Sequence, residues 1–392
     1  MVPFRQFLLK IHSRCNLACD YCYVYQGADQ SWRRRPRRME LPTVSRTARR
    51  IAEHAAAHGL DEVTVVLHGG EPLLVGAAHL DALLRELAGA GPRVRFSLQT
   101  NGLRLLDEPA LLDVLHRHRV AVGVSIDGTR ADHDRHRLLP SGAGSWARTA
   151  EAVRLLGSAP HRDLFAGLLC VVDLAADPVA TYQALVDFAP PRIDLLLPHA
   201  TWAAPPPGVH RRTVPGAPPS GEEPAPYGEW LIAAFDRWYD APRRETGVRL
   251  FEELSVLLLG GRAASEAVGL APVDLVVVEA DGTIEQVDSL KVAYEGAAGT
   301  GLDVWRHDFD AAAAHPAFRA RQHGLAGLAP VCGDCPLVRV CGGGLYAHRY
   351  AGGGAGGGFG HPSVYCADLD RLIRHIAGRL RAGVAKVARA RV

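Results

Sequence analysis

The sequence lacks the marks of an exported or membrane-spanning protein. No segment approaches the roughly 18 consecutive apolar residues that a spanning helix needs. The stretch Met1 to Lys10 carries charge within a short apolar run and ends in no cleavage site, so it does not read as a signal peptide. An excess of one charge is missing too. There are 44 Lys and Arg against 42 Asp and Glu, a formal net charge of +2, which argues against a nucleic-acid binder or an acidic-surface protein. No internal repeat is visible. What remains is an ordinary globular balance, 48% hydrophobic and 22% charged over 392 residues, and more chain than one core usually holds. These features predict a cytoplasmic protein with no nucleic-acid or membrane partner. Thiols stay reduced in that compartment, so its eight cysteines are not read as disulfides.

Strand-like and helix-like segments alternate through the first half. Strands are expected at Phe4–Ile11, Val63–Leu67, Arg93–Gln99, Val120–Ile126, Leu164–Val172 and Arg192–Leu197, with helices between them. This order predicts an α/β fold with a parallel sheet of about six β/α units, an open, partial (β/α)6 barrel rather than a closed eight-unit one. Polar and glycine-rich signals follow the strands, at the end where such barrels carry chemistry. Pro198–Pro226 is rich in Pro and Gly and reads as an irregular linker. Asp281-Gly282 between two β-branched runs signals a hairpin. The glycine-rich tract Ala351–Gly360 reads as mobile, and a helix follows from Leu369. The expected domains are 1–200, 201–265 and 266–392. The one basic cluster, Arg33-Arg34-Arg35-Pro36-Arg37-Arg38, is either a solvated loop or a contact for an anion or acidic peptide.

Seven of the cysteines fall into two groups, and Cys170, within an apolar strand, reads as a packed small hydrophobe. The first group, Cys15-x3-Cys19-x2-Cys22, follows the first strand. Three thiolates in so short a loop can hold three corners of an iron–sulfur cube and leave the fourth iron open. A structural zinc wants four ligands, and no Cys or His stands at the next natural spacing.

On these residues the chain resembles the radical S-adenosylmethionine (SAM) superfamily. The resemblance implies a [4Fe-4S] cluster on Cys15, Cys19 and Cys22 whose open iron chelates SAM. It implies reductive cleavage to a 5′-deoxyadenosyl radical that abstracts hydrogen, with an external electron donor. Gly69-Gly70-Glu71-Pro72 is similar to the family's motif for the SAM amine; glycines permit close backbone approach and a carboxylate suits an ammonium. Gln99 and Asn101, then Ser125 and Asp127, end the next two strands. They read as cofactor contacts, with Ser125 near the ribose, or as simple strand-to-helix turns. Arg137, in His133-Asp134-Arg135-His136-Arg137, reads as a partner of the SAM carboxylate or as a loop ion pair.

The second group is Cys332-x2-Cys335-x5-Cys341 with Cys366 downstream. Spacing alone allows a complete cluster or a zinc. The pattern resembles the C-terminal SPASM extension of peptide-modifying radical SAM enzymes, which implies one auxiliary [4Fe-4S] cluster on these four cysteines. The full pattern would supply ligands for another. Here Leu345 stands at one such position, and Gln286-Val287-Asp288 replaces Pro-Cys-Asp at another, so two clusters in total are expected. Asp288 survives without its neighbouring cysteine. The resemblance suggests it as the base that takes a substrate proton, against a plain turn residue.

Val276–Gly282, Asp288–Lys291, Cys341–Tyr350 and Gly360–Leu369 are similar to FxsB-type maturases. That implies a ribosomal precursor peptide as substrate, crosslinked as a three-residue cyclophane from an aromatic ring carbon to a β-carbon two positions along. Other side-chain oxidations, such as formylglycine or thioether formation, and a non-catalytic iron–sulfur scaffold are the alternatives. The first strand begins almost at residue 4, so recognition of a leader is expected to use the barrel rim, the Pro-rich stretch or the C-terminal domain.

Overall fold

The computed structural model describes residues 2–89, 91–209, 223–263, 265–353 and 358–389. Part of the expected Pro-rich linker (210–222) and part of the glycine tract (354–357) lie outside the described residues. In chain order the strands are β1 (Gln6–His12), β2 (Glu62–Gly69), β3 (Arg93–Thr100), β4 (Ala121–Ser125), β5 (Phe165–Val171), β6 (Arg192–Leu196), β7 (Gly247–Val248), β8 (Leu275–Val278), β9 (Thr283–Glu285) and β10 (Gly299–Asp303).

By contacts the chain divides into two compact units, and their bounds differ from those expected. The first contains Met1–Cys170, Ala184–Ile193 and Val273–Ala320; the second contains Val171–Gln183, Asp194–Pro272 and Arg321–Val392. The physical reason is strand pairing. The hairpin expected at the start of a C-terminal domain joins the barrel sheet instead. β8 lies parallel to β1, with Gln6 opposite Leu275 and Leu9 opposite Val278.

In the first unit, β1 also pairs with β2, β2 with β3, β3 with β4 and β4 with β5, all parallel. β9 then pairs antiparallel to β8, and β10 to β9. β1 is buried from Phe7 to Ile11, as a parallel strand covered on both faces should be. Helix Leu41–Ala57 starts with Pro42 in its first turn and buries Val44, Ala48, Ile51 and Ala55 along one face, the three-to-four spacing of an amphipathic helix. Cys170 is buried, as expected of a small hydrophobe.

Helix Phe309–Ala314 is held to β1 by an aromatic cluster. The ring centroids of Phe4 and Phe318, and of Phe7 and Phe309, lie 4.9 Å apart. His54 ties the cluster together. Its Nε2 accepts from the Phe4 N–H at 3.0 Å, and its Nδ1 faces Asp310 Oδ1 at 2.7 Å. His58 reaches the same oxygen at 2.8 Å. The three side chains resemble a metal site, but their hydrogen bonds rule it out. An imidazole that accepts at Nε2 carries its proton on Nδ1 and has no lone pair left for a cation.

Most of the basic run is exposed, as a solvated loop would be, while Arg35 is half-buried and paired. Arg35 pairs with Asp281 and, at 2.7 Å, with Glu285; Arg34 reaches Glu295 at 2.8 Å; Arg38 reaches Glu40 at 2.9 Å. Arg33 stacks on Trp32 at 4.7 Å. The run therefore straps the segment after the first cysteine loop to the hairpin.

In the second unit, helix Pro226–Tyr239 packs against the long helix Cys366–Arg389, and helix Arg249–Leu258 packs there as well. Tyr227 meets Tyr365 edge-on at 5.1 Å, and Phe235 meets Phe251 at 5.3 Å. Among the described residues no helix is long and apolar enough to cross a membrane.

His54 yields a stability prediction. Burial lowers its pKa below the ordinary value, so the neutral ring's contribution is complete above about pH 6.5 and is lost as pH falls through the lowered value. His54→Leu should cost about 1–3 kcal/mol by stranding the Phe4 N–H, read as a fall in Tm. It should also flatten the acid limb of Tm against pH. An unchanged Tm would count against the role of this imidazole.

Candidate active site at the strand ends of the first unit

The first cysteine group leaves β1 at its C-terminal end. Its three cysteines are half-buried and unbridged. The loop is wound by its own backbone: the Cys22 N–H donates to Cys19 O at 3.3 Å, and Gln26 N–H to Cys22 O at 2.7 Å. Burial, with the Glu71 carboxylate behind it, pushes the Cys15 thiol up to about 12. Burial also raises Cys19, although the Arg137 guanidinium opposes it. Bare thiolates are therefore unfavourable here. Positively charged irons shared by all three would hold them ionised, so the donor set fits an iron–sulfur cluster.

The motif after β2 braces this loop. The Gly70 N–H donates to His12 O, and the Glu71 N–H to Arg14 O, each at 2.9 Å. A Cβ on Gly69 would lie 2.1 Å from His12 O, and one on Gly70 would lie 2.5 Å from Arg14 O. Both glycines are thus required by the chain's own close approach. The Glu71 carboxylate is buried and spent internally. It accepts from the Leu73 N–H at 3.0 Å, from the Thr100 hydroxyl at 2.8 Å and from the Asn101 N–H at 2.8 Å. Burial raises its pKa against these three donors. Pro72 opens the short helical turn that follows.

Asn101, positioned by Glu71, points its side-chain amide at the cysteine loop. Nδ2 lies 2.8 Å from Asn16 Oδ1 and 3.8 Å from Cys15 Sγ. Ser125 stands half-buried at the end of β4. Asp127 accepts from the Tyr21 hydroxyl, which in turn accepts from Arg137 Nη1 at 2.8 Å. Arg137 is buried. Burial opposes its charge, and Tyr21, Asp127 and Cys19 more than restore it. Its buried Nε has no hydrogen-bond partner among the described residues, a donor free for a carboxylate.

Asp288 follows β9 and is buried at the ends of β1 and β2. It takes hydrogen bonds from Lys10 Nζ and from the Tyr23 hydroxyl, the latter at 2.7 Å. Lys10 Nζ also donates to His68 Nδ1 at 2.9 Å, which puts the His68 proton on Nε2, 3.0 Å from Gln99 Oε1. Burial alone would raise the Asp288 pKa, but the Lys10 ammonium, His68 and the Tyr23 hydroxyl hold it well below the usual carboxylate range. Burial and the Lys10 charge depress His68 to about 4. Lys10, Tyr21, Tyr23 and His68 were not among the residues singled out from sequence. A lysine inside Phe7-Leu8-Leu9-Lys10-Ile11 and tyrosines at every second position around Cys22 were the available signals.

The second group lies in the other unit. Cys332 is on the short helix Pro330–Gly333, Cys341 ends Val338–Cys341, and Cys366 opens the long last helix. Cys332, Cys335 and Cys341 lie within electrostatic reach of one another, and burial pushes Cys341 up to about 11. The helix ending at Cys341 packs on the helix that Cys366 begins. Four half-buried thiols, three on short segments and one opening the last helix, supply the ligand count of a fully ligated cluster. Val287 and Leu345 contribute no ligand.

Cysteine loop, glycine brace and parallel strands together define a radical SAM fold. Residues 9–172 match the Radical SAM superfamily model. Among curated proteins, the serine-type anaerobic sulfatase-maturating enzyme of Klebsiella aerogenes is 33% identical over 190 residues, 47% of this chain and 44% of that protein. The cysteine-type enzyme of Clostridium novyi (strain NT) is 25% identical over 286 residues, 70% and 71% of the two chains. The chain thus spans less than half the length of the Klebsiella relative. Among solved structures, native anSMEcpe with bound AdoMet superposes with a TM-score of 0.75 at 20% identity, over 97% of this chain and 99% of that one. Streptococcus suis SuiB gives 0.54 at 13% identity, over 88% and 73%.

The buried Lys10–Asp288 pair can be tested by a double-mutant cycle. Lys10→Met strands a buried carboxylate and should cost about 3–5 kcal/mol in chemical denaturation. Adding Asp288→Asn should recover most of that loss. Because the Asp288 pKa is depressed, the wild-type contribution is full above about pH 4 and fades only as pH falls below it. Additive single-variant losses would mean the two groups do not interact.

Proposed function

We propose that this protein is a radical SAM enzyme that oxidises a peptide side chain, with one cluster on Cys15, Cys19 and Cys22 and an auxiliary cluster on Cys332, Cys335, Cys341 and Cys366. Bound together, the first cluster and SAM supply a 5′-deoxyadenosyl radical that takes a hydrogen atom from an unactivated C–H bond. The positions around SAM are Gly69, Gly70, Pro72, Gln99, Asn101, Ser125, Asp127 and Arg137, with Glu71 behind them. Asn101 has its amide beside Cys15, and Arg137 offers its free Nε to the SAM carboxylate. Glu71 acts by holding Asn101 rather than by meeting the ammonium itself.

The observation that carries this reading is the placement of Asp288. It is one hydrogen bond from Tyr23, the neighbour of Cys22, at the strand ends where a substrate radical would form. Once a hydrogen atom has left the substrate, a proton and an electron remain to be removed. Asp288 takes the proton, and the four-cysteine set offers the acceptor for the electron. An external donor supplies the electron that cleaves SAM.

Within this class the preferred reaction is a cyclophane-type crosslink in a ribosomal precursor peptide. Its support is the FxsB-like sequence around Cys341–Tyr350 and Gly360–Leu369. The second reading is formylglycine formation, favoured by the likeness to sulfatase-maturating enzymes.

Co-expression with a candidate precursor peptide separates them by mass spectrometry. A crosslink appears as loss of two hydrogens with fragmentation blocked across one aromatic-x-x segment, abolished by Cys19→Ala. A product captured by a hydrazide reagent carries an aldehyde and moves the assignment to formylglycine. Asp288→Asn should keep SAM cleavage and lower product by about 10²-fold or more. A variant with wild-type product would remove Asp288 from the base role.

A further inference from the structure

Cys341 is followed by three glycines, all in the left-handed region, with φ of +62°, +76° and +65°. A Cβ on Gly342 would lie 1.7 Å from Gly269 O, so the turn is open only to glycine there. Such a turn directs successive carbonyls to one side. Here all three meet a single side chain. Arg349 Nη2 donates to Gly342 O and Gly344 O, each at 2.7 Å, and Nε donates to Gly343 O at 3.1 Å. The Tyr346 ring covers the guanidinium at 5.6 Å. Cys341, immediately before this turn, and Cys332 lie within electrostatic reach of the guanidinium.

We propose that Arg349 is a positioning residue that fixes the Cys341 loop and raises the reduction potential of the auxiliary cluster. A cluster held by four thiolates is net negative and becomes more so on reduction. A permanent cation beside two of its sulfurs therefore stabilises the reduced form. Lys has the charge but not the planar fork that reaches three acceptors. The consequence is an acceptor easier to fill with an electron taken from the substrate. This inference rests on the proposed auxiliary cluster.

The test uses the full chain with Cys15, Cys19 and Cys22 replaced by Ala, so that the remaining iron belongs to the second group. Iron content and the electron paramagnetic resonance signal of the reduced protein first show whether a cluster is there. A protein that binds no iron overturns the cluster reading itself. Given the cluster, a redox titration compares Arg349→Gln, Arg349→Met and Arg349→Lys. The neutral variants should need at least a tenfold more reducing poise for half reduction (59 mV for one electron), while Arg349→Lys stays within threefold of the parent. Arg349→Lys should also lose iron to a chelator faster, because it clamps the loop less completely. Neutral variants that load fully and keep the parent midpoint overturn the proposal. Neutral variants that melt normally but bind no iron also overturn it, by making Arg349 a structural requirement instead.

Discussion

The pairing of β8 with β1 is the constraint on which the site depends. It brings a segment from late in the chain beside the first strand and sets the register of everything that follows. Asp288 meets Lys10 across 278 residues of sequence only because Val278 lies opposite Leu9. The strap after the first cysteine loop then closes on the hairpin. Gly296 N–H donates to Asp29 at 2.7 Å, Arg35 pairs with Asp281 and Glu285, and Arg46 holds the Val304 carbonyl at 2.9 Å. Behind Arg35, Lys291 joins Glu279 and Glu285 at 2.5 and 3.2 Å, all three nearly inaccessible. Buried charges of this kind add little net stability, yet removing one leaves its partners stranded. They act as a key that admits one docking of the hairpin.

This pairing also explains which features could be read from the sequence. The parallel strands and the two cysteine groups were legible, because periodicity, spacing and motif are local. The unit boundaries were not. The composition of Leu275–Val287 announces a hairpin but not its partner, and a hairpin after a linker naturally suggests the start of a new domain. The pairing of Arg34 and Arg35 was hidden for the same reason: their acidic partners lie some 250 residues away. Lys10 was hidden inside an apolar strand, where only its unlikely burial marked it.

The motif after β2 shows how a resemblance can name residues and leave their physics open. Gly69 and Gly70 are required by contacts within the chain, before any ligand is considered. Glu71 has three internal donors, so its carboxylate joins the ends of β2 and β3 instead of waiting for an ammonium. It fixes the backbone of Asn101, whose amide sits beside Cys15. A preorganised second layer of this sort keeps a metal-site contact in place without being the contact.

The state of Asp288 bears on the chemistry it can do. Enzymic carboxylate bases usually have raised pKa values, reached by burial without a cation. Asp288 is buried but sits against Lys10, His68 and the Tyr23 hydroxyl, and is held as a very stable anion. Such a base is too weak to remove a proton from an ordinary closed-shell C–H bond. A substrate carbon radical is a different acid. Losing a proton from a cyclohexadienyl-type adduct restores an aromatic ring, and losing one from a radical bearing oxygen or sulfur leads to a double bond once the electron goes. Both are far more acidic than their parents. A weak, permanently ionised carboxylate therefore suits a reaction in which the hydrogen atom leaves first. On the proposed reading it stays inert toward the intact peptide and acts only once the radical has formed.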